Sequence, residues 1–269
     1  MNDIRICTLY SGSGGNSTYV KIGECEILID AGKCARALCS ALSEIGSDLS
    51  RISAIFITHE HTDHVSALEV ISKKYAIPIH ITDKSAEKFD RTPEAFIHKN
   101  LVRHKEIEFS VALDSVTVTA FHTPHDSMMS VGYKIETNRD TPPRRIAVAT
   151  DIGYVSENVR KNLLGCEAIV LESNHDEQML ERGPYPYDLK MRILSKGGHL
   201  SNKDSAALAA ELVDHGAKAF LLAHLSEENN TPELAFDEFY SAIASDDIAI
   251  AVAAADIPTE LKLKKETPC

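Results

Sequence analysis

Residues 58–64 read Thr58-His59-Glu60-His61-Thr62-Asp63-His64, so three imidazoles and the Asp63 carboxylate fall within six positions. They follow directly on the apolar, β-branched run 52–58, and a helical pattern over 65–75 comes after them. A strand thus delivers the cluster to its C-terminal end. His59 and His61 are two apart and point the same way on an extended segment. Asp63 and His64 are adjacent and cannot both join that face, so they suit a second direction and a second ion. Neutral imidazole favours zinc and its first-row neighbours, and a carboxylate adds a hard oxygen. Four such residues in six positions after a strand are far from a polar loop with chance histidines.

Outward from this stretch, residues 4–9, 17–22 and 26–30 have the pattern of short strands in a meander. Gly12, Gly14 and Gly15 lie in the first turn; no Lys follows and no helix opens there, so a tight turn that could line a pocket is expected. Residues 33–45 are helical in pattern and end at Gly46; 77–81 form a strand and 85–90 a short helical piece. In the second half 106–113, 116–122, 131–136 and 145–150 alternate as strands, followed by a helix over 155–163 and a strand over 168–172. Ser201 is a helix N-cap with Asp204 three residues on, and that helix runs to His215. A strand over 219–223, a helix over 232–243 and a strand over 248–253 complete the chain. Two β-rich halves, each covered by helices, predict an α/β fold: a four-layer αββα sandwich with mixed sheets. We expect one domain, with halves of roughly 1–104 and 105–260 and a frayed tail over 261–269.

Other ligand-competent residues stand at the ends of apolar runs. Asp30 ends Ile-Leu-Ile-Asp, Asp151 ends Val-Ala-Thr-Asp, His224 ends Leu-Leu-Ala-His, and His125 follows Phe-His-Thr-Pro. Active sites gather at strand ends because loops converge there above a rigid sheet. Singly, each reads as a turn aspartate or a satisfied core histidine. Together with the opening cluster they supply two ligand sets. His59, His61 and His125 would hold one metal, and Asp63, His64 and His224 the other. Asp151, with two oxygens, could bridge them. His122 is the rival to His125, while His80, His98, His104 and His215 read as structural or surface residues.

This order of residues resembles the metallo-β-lactamase fold superfamily over nearly the whole chain, with Asp30, the 59–64 cluster, His125, Asp151 and His224 matching its five motifs in sequence. Aspartate rather than cysteine at position 151 is similar to the phosphodiesterase and ribonuclease Z branch. Neither His59 nor His61 is replaced by Glu, unlike a flavodiiron-type redox site. Closer still, Ser11-Gly-Ser-Gly-Gly-Asn-Ser-Thr18, Thr150-Asp-Ile-Gly-Tyr154, Glu172-Ser-Asn-His-Asp176, Gly198-His-Leu-Ser-Asn202 and the segment 223–232 resemble the YycJ/VicX (WalJ) family. Gly14 departs from the serine expected there. The resemblance implies a bacterial, cytoplasmic hydrolase linked to DNA exonuclease activity. It also implies that Asp30 supports the ligands from behind, and that His199 matches the non-ligand histidine of the phosphodiesterase branch.

The expected chemistry follows. Two divalent ions (zinc, manganese or iron) can share a hydroxide, because they lower the pKa of bound water, and that hydroxide attacks phosphorus in line. Asp63 and His199 are the catalytic candidates, His199 protonating the leaving alkoxide just before a helix N-terminus that favours anions. Asn174 and His175 are candidate substrate contacts, and Lys190, Arg192 and Lys196 could track a phosphate backbone, although a solvated helix face explains the three cations as well. DNA is the expected substrate. The net charge of −12 counts mildly against wide nonspecific binding to polyanions without excluding a local basic path. Six cysteines without a CxxC pair read as reduced core residues of a cytoplasmic protein; Cys34 and Cys39 make a weak metal pair. The first five residues lack a signal-peptide pattern, and no apolar stretch is long enough for a membrane span. Two other classes stay open: hydrolysis of a small ester, thioester, lactone or cyclic phosphodiester, and a noncatalytic metal-stabilised regulatory module.

Overall fold

The apolar run leading into the histidine cluster is buried on both faces, which is why its residues do not alternate with polar ones. Ala54 and Phe56 point into the space between two sheets, while Ile52, Ile55 and Ile57 pack beneath helices. The computed structural model describes residues 4–263. The first sheet opens with an antiparallel meander, β1 (Ile4–Tyr10), β2 (Ser17–Ile22) and β3 (Cys25–Ile29). After α1 (Ala35–Glu44) come β4 (Ile52–Phe56), α2 (Thr62–Val65), α3 (Leu68–Lys74), β5 (Ile79–Thr82), α4 (Asp83–Ala86) and β6 (Leu101–His104), the three strands joining parallel. The second sheet repeats the plan. β7 (Ser110–Ala112), β8 (Val116–His122), β9 (Val131–Thr137) and β10 (Arg145–Ala149) are antiparallel. After α5 (Glu157–Leu163), β11 (Ala168–Glu172) joins in parallel. Then come α6 (Glu177–Arg182), α7 (Tyr187–Ile193), α8 (Asn202–Asp214), parallel β12 (Ala219–Ala223), α9 (Pro232–Ile243) and parallel β13 (Ala249–Val252). β14 (Thr259–Leu261) returns to pair with β1.

Three apolar layers separate four layers of structure. Ile6, Val20, Phe56, Tyr133, Val148 and Leu221 fill the space between the sheets. Leu38, Leu42, Leu68 and Ile71 seal the helices onto the first sheet, and Val159, Leu163, Leu212 and Phe239 seal those of the second. This is the αββα sandwich expected from the sequence. Strands β3–β5 run one way and β10–β12 run one way, so their C-terminal ends share an edge of the sandwich. Turns there are sharp: Asp30, Asp151 and His224 each take a left-handed backbone, with φ of 64°, 57° and 59°.

Several boundaries differ from the sequence expectations for identifiable reasons. The helix expected over 65–75 is two helices, and the first begins inside the histidine cluster. The Asp63 carbonyl accepts from Asn16 N at 2.7 Å, and Ala67 N donates to the Ala31 carbonyl at 2.9 Å, so the helical bond between positions 67 and 63 is replaced by tertiary ones. The strand expected over 106–113 shortens to β7, and β6 takes the sheet edge just before it. Leu261, assigned to a frayed tail, is instead buried in β14 opposite Ile6. Leu263 also packs against the core between the sheets, and residues 264–269 of that tail, Cys269 included, lie outside the described residues.

Candidate metal centre

The shared edge collects His59, His61, Asp63 and His64 from the turn after β4, His125 after β8, Asp151 after β10 and His224 after β12. One ligand atom from each of His59, His61 and His125 lies within 4.8 Å of the others, and the same holds for Asp63, His64 and His224. Asp151 stands between the sets. Its Oδ2 is 3.5 Å from His64 Nε2 and its Oδ1 is 3.8 Å from His125 Nε2.

Neighbours fix which nitrogen of each ring faces the centre. Thr58 Oγ1 donates to Asp30 and lies 3.0 Å from His59 Nδ1, leaving His59 Nε2 inward. His125 Nδ1 donates to the Gly198 carbonyl at 3.2 Å. His64 Nδ1 lies 2.8 Å from Asp30 Oδ2, and Asp30 Oδ1 accepts from Thr58 N. Asp30 thus stands behind His64, not in the centre. His224 Nδ1 lies 2.9 Å from Glu172 Oε1. Such partners orient a ligating ring and raise its basicity.

Two buried atoms have no hydrogen-bond partner in this arrangement, His59 Nε2 and Asp151 Oδ2. An unpaired buried polar atom costs about 1–3 kcal/mol. Both point where a cation would satisfy them, so the donor set fits divalent metal. The electrostatics agree. Burial, reinforced by the surrounding imidazoles, holds His59 well below the usual histidine range, and burial also lowers His125. Both rings are therefore neutral donors. Burial works against charge on His224 and His64 too, but Asp151 and Glu172 push His224 up to about 9, and Asp30 and Asp151 push His64 well up. Burial would raise Asp63, yet the hydrogen bond and charge of His64 hold it below the carboxylate range. The carboxylates thus draw positive charge into the centre.

Glu172, at the end of β11, joins the site without being among the residues expected from the sequence. It is wholly buried and accepts four hydrogen bonds: His199 Nδ1 at 2.8 Å, His224 Nδ1 at 2.9 Å, Ile152 N at 2.7 Å and Leu200 N at 3.2 Å. Its signal was the one used for Asp30 and Asp151, a carboxylate closing an apolar strand. Asn16 is a second omission. Its Nδ2 lies 3.2 Å from Asp63 Oδ2, so the glycine-rich turn serves the centre. Gly32 makes this approach possible, since a Cβ there would fall 1.6 Å from the Asp63 carbonyl oxygen.

His199 sits between His125 and His224, with ring centroids 5.1 Å from each. With Nδ1 held by Glu172, its Nε2 is the nitrogen left for a ligand. It lines a small cleft of about 180 Å³ together with Asn174, Tyr185, Arg192 and Ser226. A larger cleft of about 700 Å³ opens over Glu60, His61 and Asp63. Arg192 borders both and is paired with Asp126. The other expected substrate contacts are not all brought here. His175 is 1% exposed and lines neither cleft, because the turn after β11 folds it inward beside Ser201. Lys190 is tied to the Glu181 carbonyl and Lys196, past the end of α7, faces solvent; of the three cations only Arg192 lines a cleft. His122 lies within β8 and joins no ligand set among the described residues. Cys34 and Cys39 are exposed and free, and no helix of the described residues is long and apolar enough to cross a membrane.

A family profile described as the beta-lactamase superfamily domain matches residues 26–225. The exodeoxyribonuclease YycJ of Bacillus anthracis is 34% identical over 236 residues, covering 86% of each chain. The exodeoxyribonuclease WalJ of Streptococcus pneumoniae is 31% identical over 245 residues, covering 91% of this chain and 90% of that one. Among solved structures, the metallo-β-lactamase fold protein YhfI of Bacillus subtilis superposes with a TM-score of 0.68 at 16% identity, covering 96% of this chain and all (100%) of the other. The short form of human tRNase Z gives 0.66 at 19% identity, covering 95% and 98%. These two likenesses speak to the fold alone.

Proposed function

This chain belongs to the beta-lactamase superfamily as a YycJ-like member, and from that premise we propose that it is a dinuclear metal-dependent phosphodiesterase acting on DNA as an exonuclease. That it is a metal-dependent hydrolase follows from the family and its named relatives. The observation supporting two ions is the pair of ligand sets meeting at Asp151, with His59 Nε2 of one set and Asp151 Oδ2 between them left without a hydrogen-bond partner. His59, His61 and His125 would hold one ion, Asp63, His64 and His224 the other, and Asp151 both. Nitrogen and oxygen donors without thiolate suit zinc, manganese or iron. Bound there, the ions supply a hydroxide nucleophile at neutral pH and neutralise charge on the phosphate.

The protein's own groups do the remainder. Asp30 and Glu172 keep the Nδ1 protons of His64 and His224 in place, so each Nε2 faces inward and would take an ion on giving up its proton. Asp63 supplies a carboxylate kept ionised by His64. His199, its Nδ1–H anchored on Glu172, offers Nε2 to the leaving alkoxide and gives it a proton. Asn174 lines the small cleft and Arg192 borders both, and these are the substrate contacts retained. Incubation of the manganese- or zinc-loaded protein with end-labelled DNA and with bis(p-nitrophenyl) phosphate tests this. Stepwise shortening of DNA and release of nitrophenol, both lost in His59→Ala, are expected. Turnover of carboxylic esters or thioesters alone would sink the proposal.

A further inference from the structure

The larger cleft has a chemistry that the metal ligands do not explain. Its floor is the loop of Glu60, His61 and Thr62, and one wall is the turn after α4, which carries Lys88 and Arg91. Lys88 Nζ donates to the Glu60 carbonyl at 2.6 Å and lies 3.5 Å from Thr62 Oγ1. An ammonium has three N–H groups. With those two directions taken, one remains for an acceptor in the cleft. The Arg91 guanidinium has no carboxylate partner among the described residues. Elsewhere the arginines are mostly committed: Arg5, Arg51, Arg103, Arg139, Arg145 and Arg160 each rest on a carboxylate. In a chain of net charge −12, Lys88 with one N–H direction left and Arg91 without a carboxylate stand out beside the centre as anion-binding groups.

We propose that Lys88 and Arg91 grip the phosphate adjoining the scissile one, in the cleft that His199 does not line; this rests on the phosphodiesterase reading above. His199 lines the small cleft and not the large one. A strand crossing the centre therefore leaves its alkoxide on the His199 side. The two cations hold the piece that keeps the cleaved phosphoryl group. Phosphate contacts of this kind fix the register of a strand without reading its sequence. The net acidity of the chain is then compatible with a nucleic-acid substrate, because the attraction is confined to one wall of one cleft.

Lys88→Met and Arg91→Met keep side-chain bulk and remove charge. The manganese-loaded proteins are assayed on a single-stranded DNA oligonucleotide and on bis(p-nitrophenyl) phosphate, which carries only the scissile phosphate. In each variant kcat/KM on the oligonucleotide should fall about tenfold further than on the small diester, and the slope of log kcat/KM against log salt should become shallower by about 0.7 per lost contact. A parallel fall on both substrates with an unchanged salt slope would overturn the proposal, since Lys88 would then merely prop the loop of Glu60 and Thr62. A parent protein active on DNA, with variants that match it, would overturn the phosphate grip alone. A parent that cleaves the small diester and no oligonucleotide would overturn the nucleic-acid reading as well.

Discussion

Replacing Glu172 by glutamine changes one atom at the point where two functional imidazoles meet. The carboxylate accepts four hydrogen bonds, two from the backbone at Ile152 and Leu200 and two from His199 and His224. Glutamine has one oxygen and one NH2 group, so whichever way the amide turns, two donors face two donors. If the oxygen stays with the backbone, the rings can be satisfied only by moving each proton from Nδ1 to Nε2. His224 would then keep N–H towards the centre with no Nδ1 proton to spare, and His199 would rest on a neutral amide in place of a carboxylate. Without that tautomeric change, two buried donors go unpaired at about 1–3 kcal/mol each. With it, affinity for the ion held by Asp63, His64 and His224 should fall by about 10–100-fold, the usual cost of losing a partner behind a metal ligand. Calorimetric metal titration and urea unfolding of the metal-free protein together capture both branches. Either the second binding step weakens or the midpoint drops by the equivalent of about 2 kcal/mol or more. Two binding steps like the parent's, with stability within about 0.5 kcal/mol, would refute the role given to Glu172.

Three further outcomes are expected. Gly32→Ala drives a Cβ into the Asp63 carbonyl, so it should displace α2, lower the unfolding midpoint and reduce bound metal from two ions towards one, read by elemental analysis. Chelation should destabilise the protein by about 3 kcal/mol for each ion removed, relative to protein in metal at one hundred times its Kd, seen as a fall in Tm. His80 is pushed down to about 4 by burial, with help from His104, whose Nε2 lies 3.0 Å from its Nδ1. Between pH 6.5 and about 4 the unfolded chain takes a proton there that the folded one refuses, so stability falls as pH drops through that window. The urea midpoint should lose less on going from about pH 7 to pH 5 in His80→Phe than in the parent, because phenylalanine does not titrate there.

The fold was legible because both sheets advertise themselves as apolar runs closed by a polar residue. β12 and α9 match the expected ranges 219–223 and 232–243, since an apolar pentapeptide and a Thr231-Pro232 helix start leave little choice. Asp30, His125, Asp151 and His224 were readable for the same reason: each closes or directly follows an apolar run. What escaped was set by partners distant in sequence. Glu172 acquires its role from His199 and His224, 27 and 52 positions away. The break between α2 and α3 comes from Asn16 and Ala31, neither of which any local pattern links to position 67. Leu261 looked like part of a charged tail because its strand is three residues long and gains its burial only against β1. Three cations near His199 suggest three phosphate contacts, but on α7 Leu189, Arg192 and Ile193 line the small cleft while Lys190 turns to the Glu181 carbonyl, and Lys196 lies past the helix.

The left-handed turns at Asp30, Asp151 and His224 bear on how mutants of this centre must be chosen. Alanine at any of them removes a side chain and places an unfavourable backbone angle under a Cβ with nothing to compensate it. A dead alanine mutant would therefore confound a lost donor with a relaxed loop. Asparagine tolerates this backbone region far better than most residues. Asp30→Asn, Asp151→Asn and His224→Asn are accordingly the informative controls, because they alter charge and donor chemistry while leaving the chain free to turn where it does now.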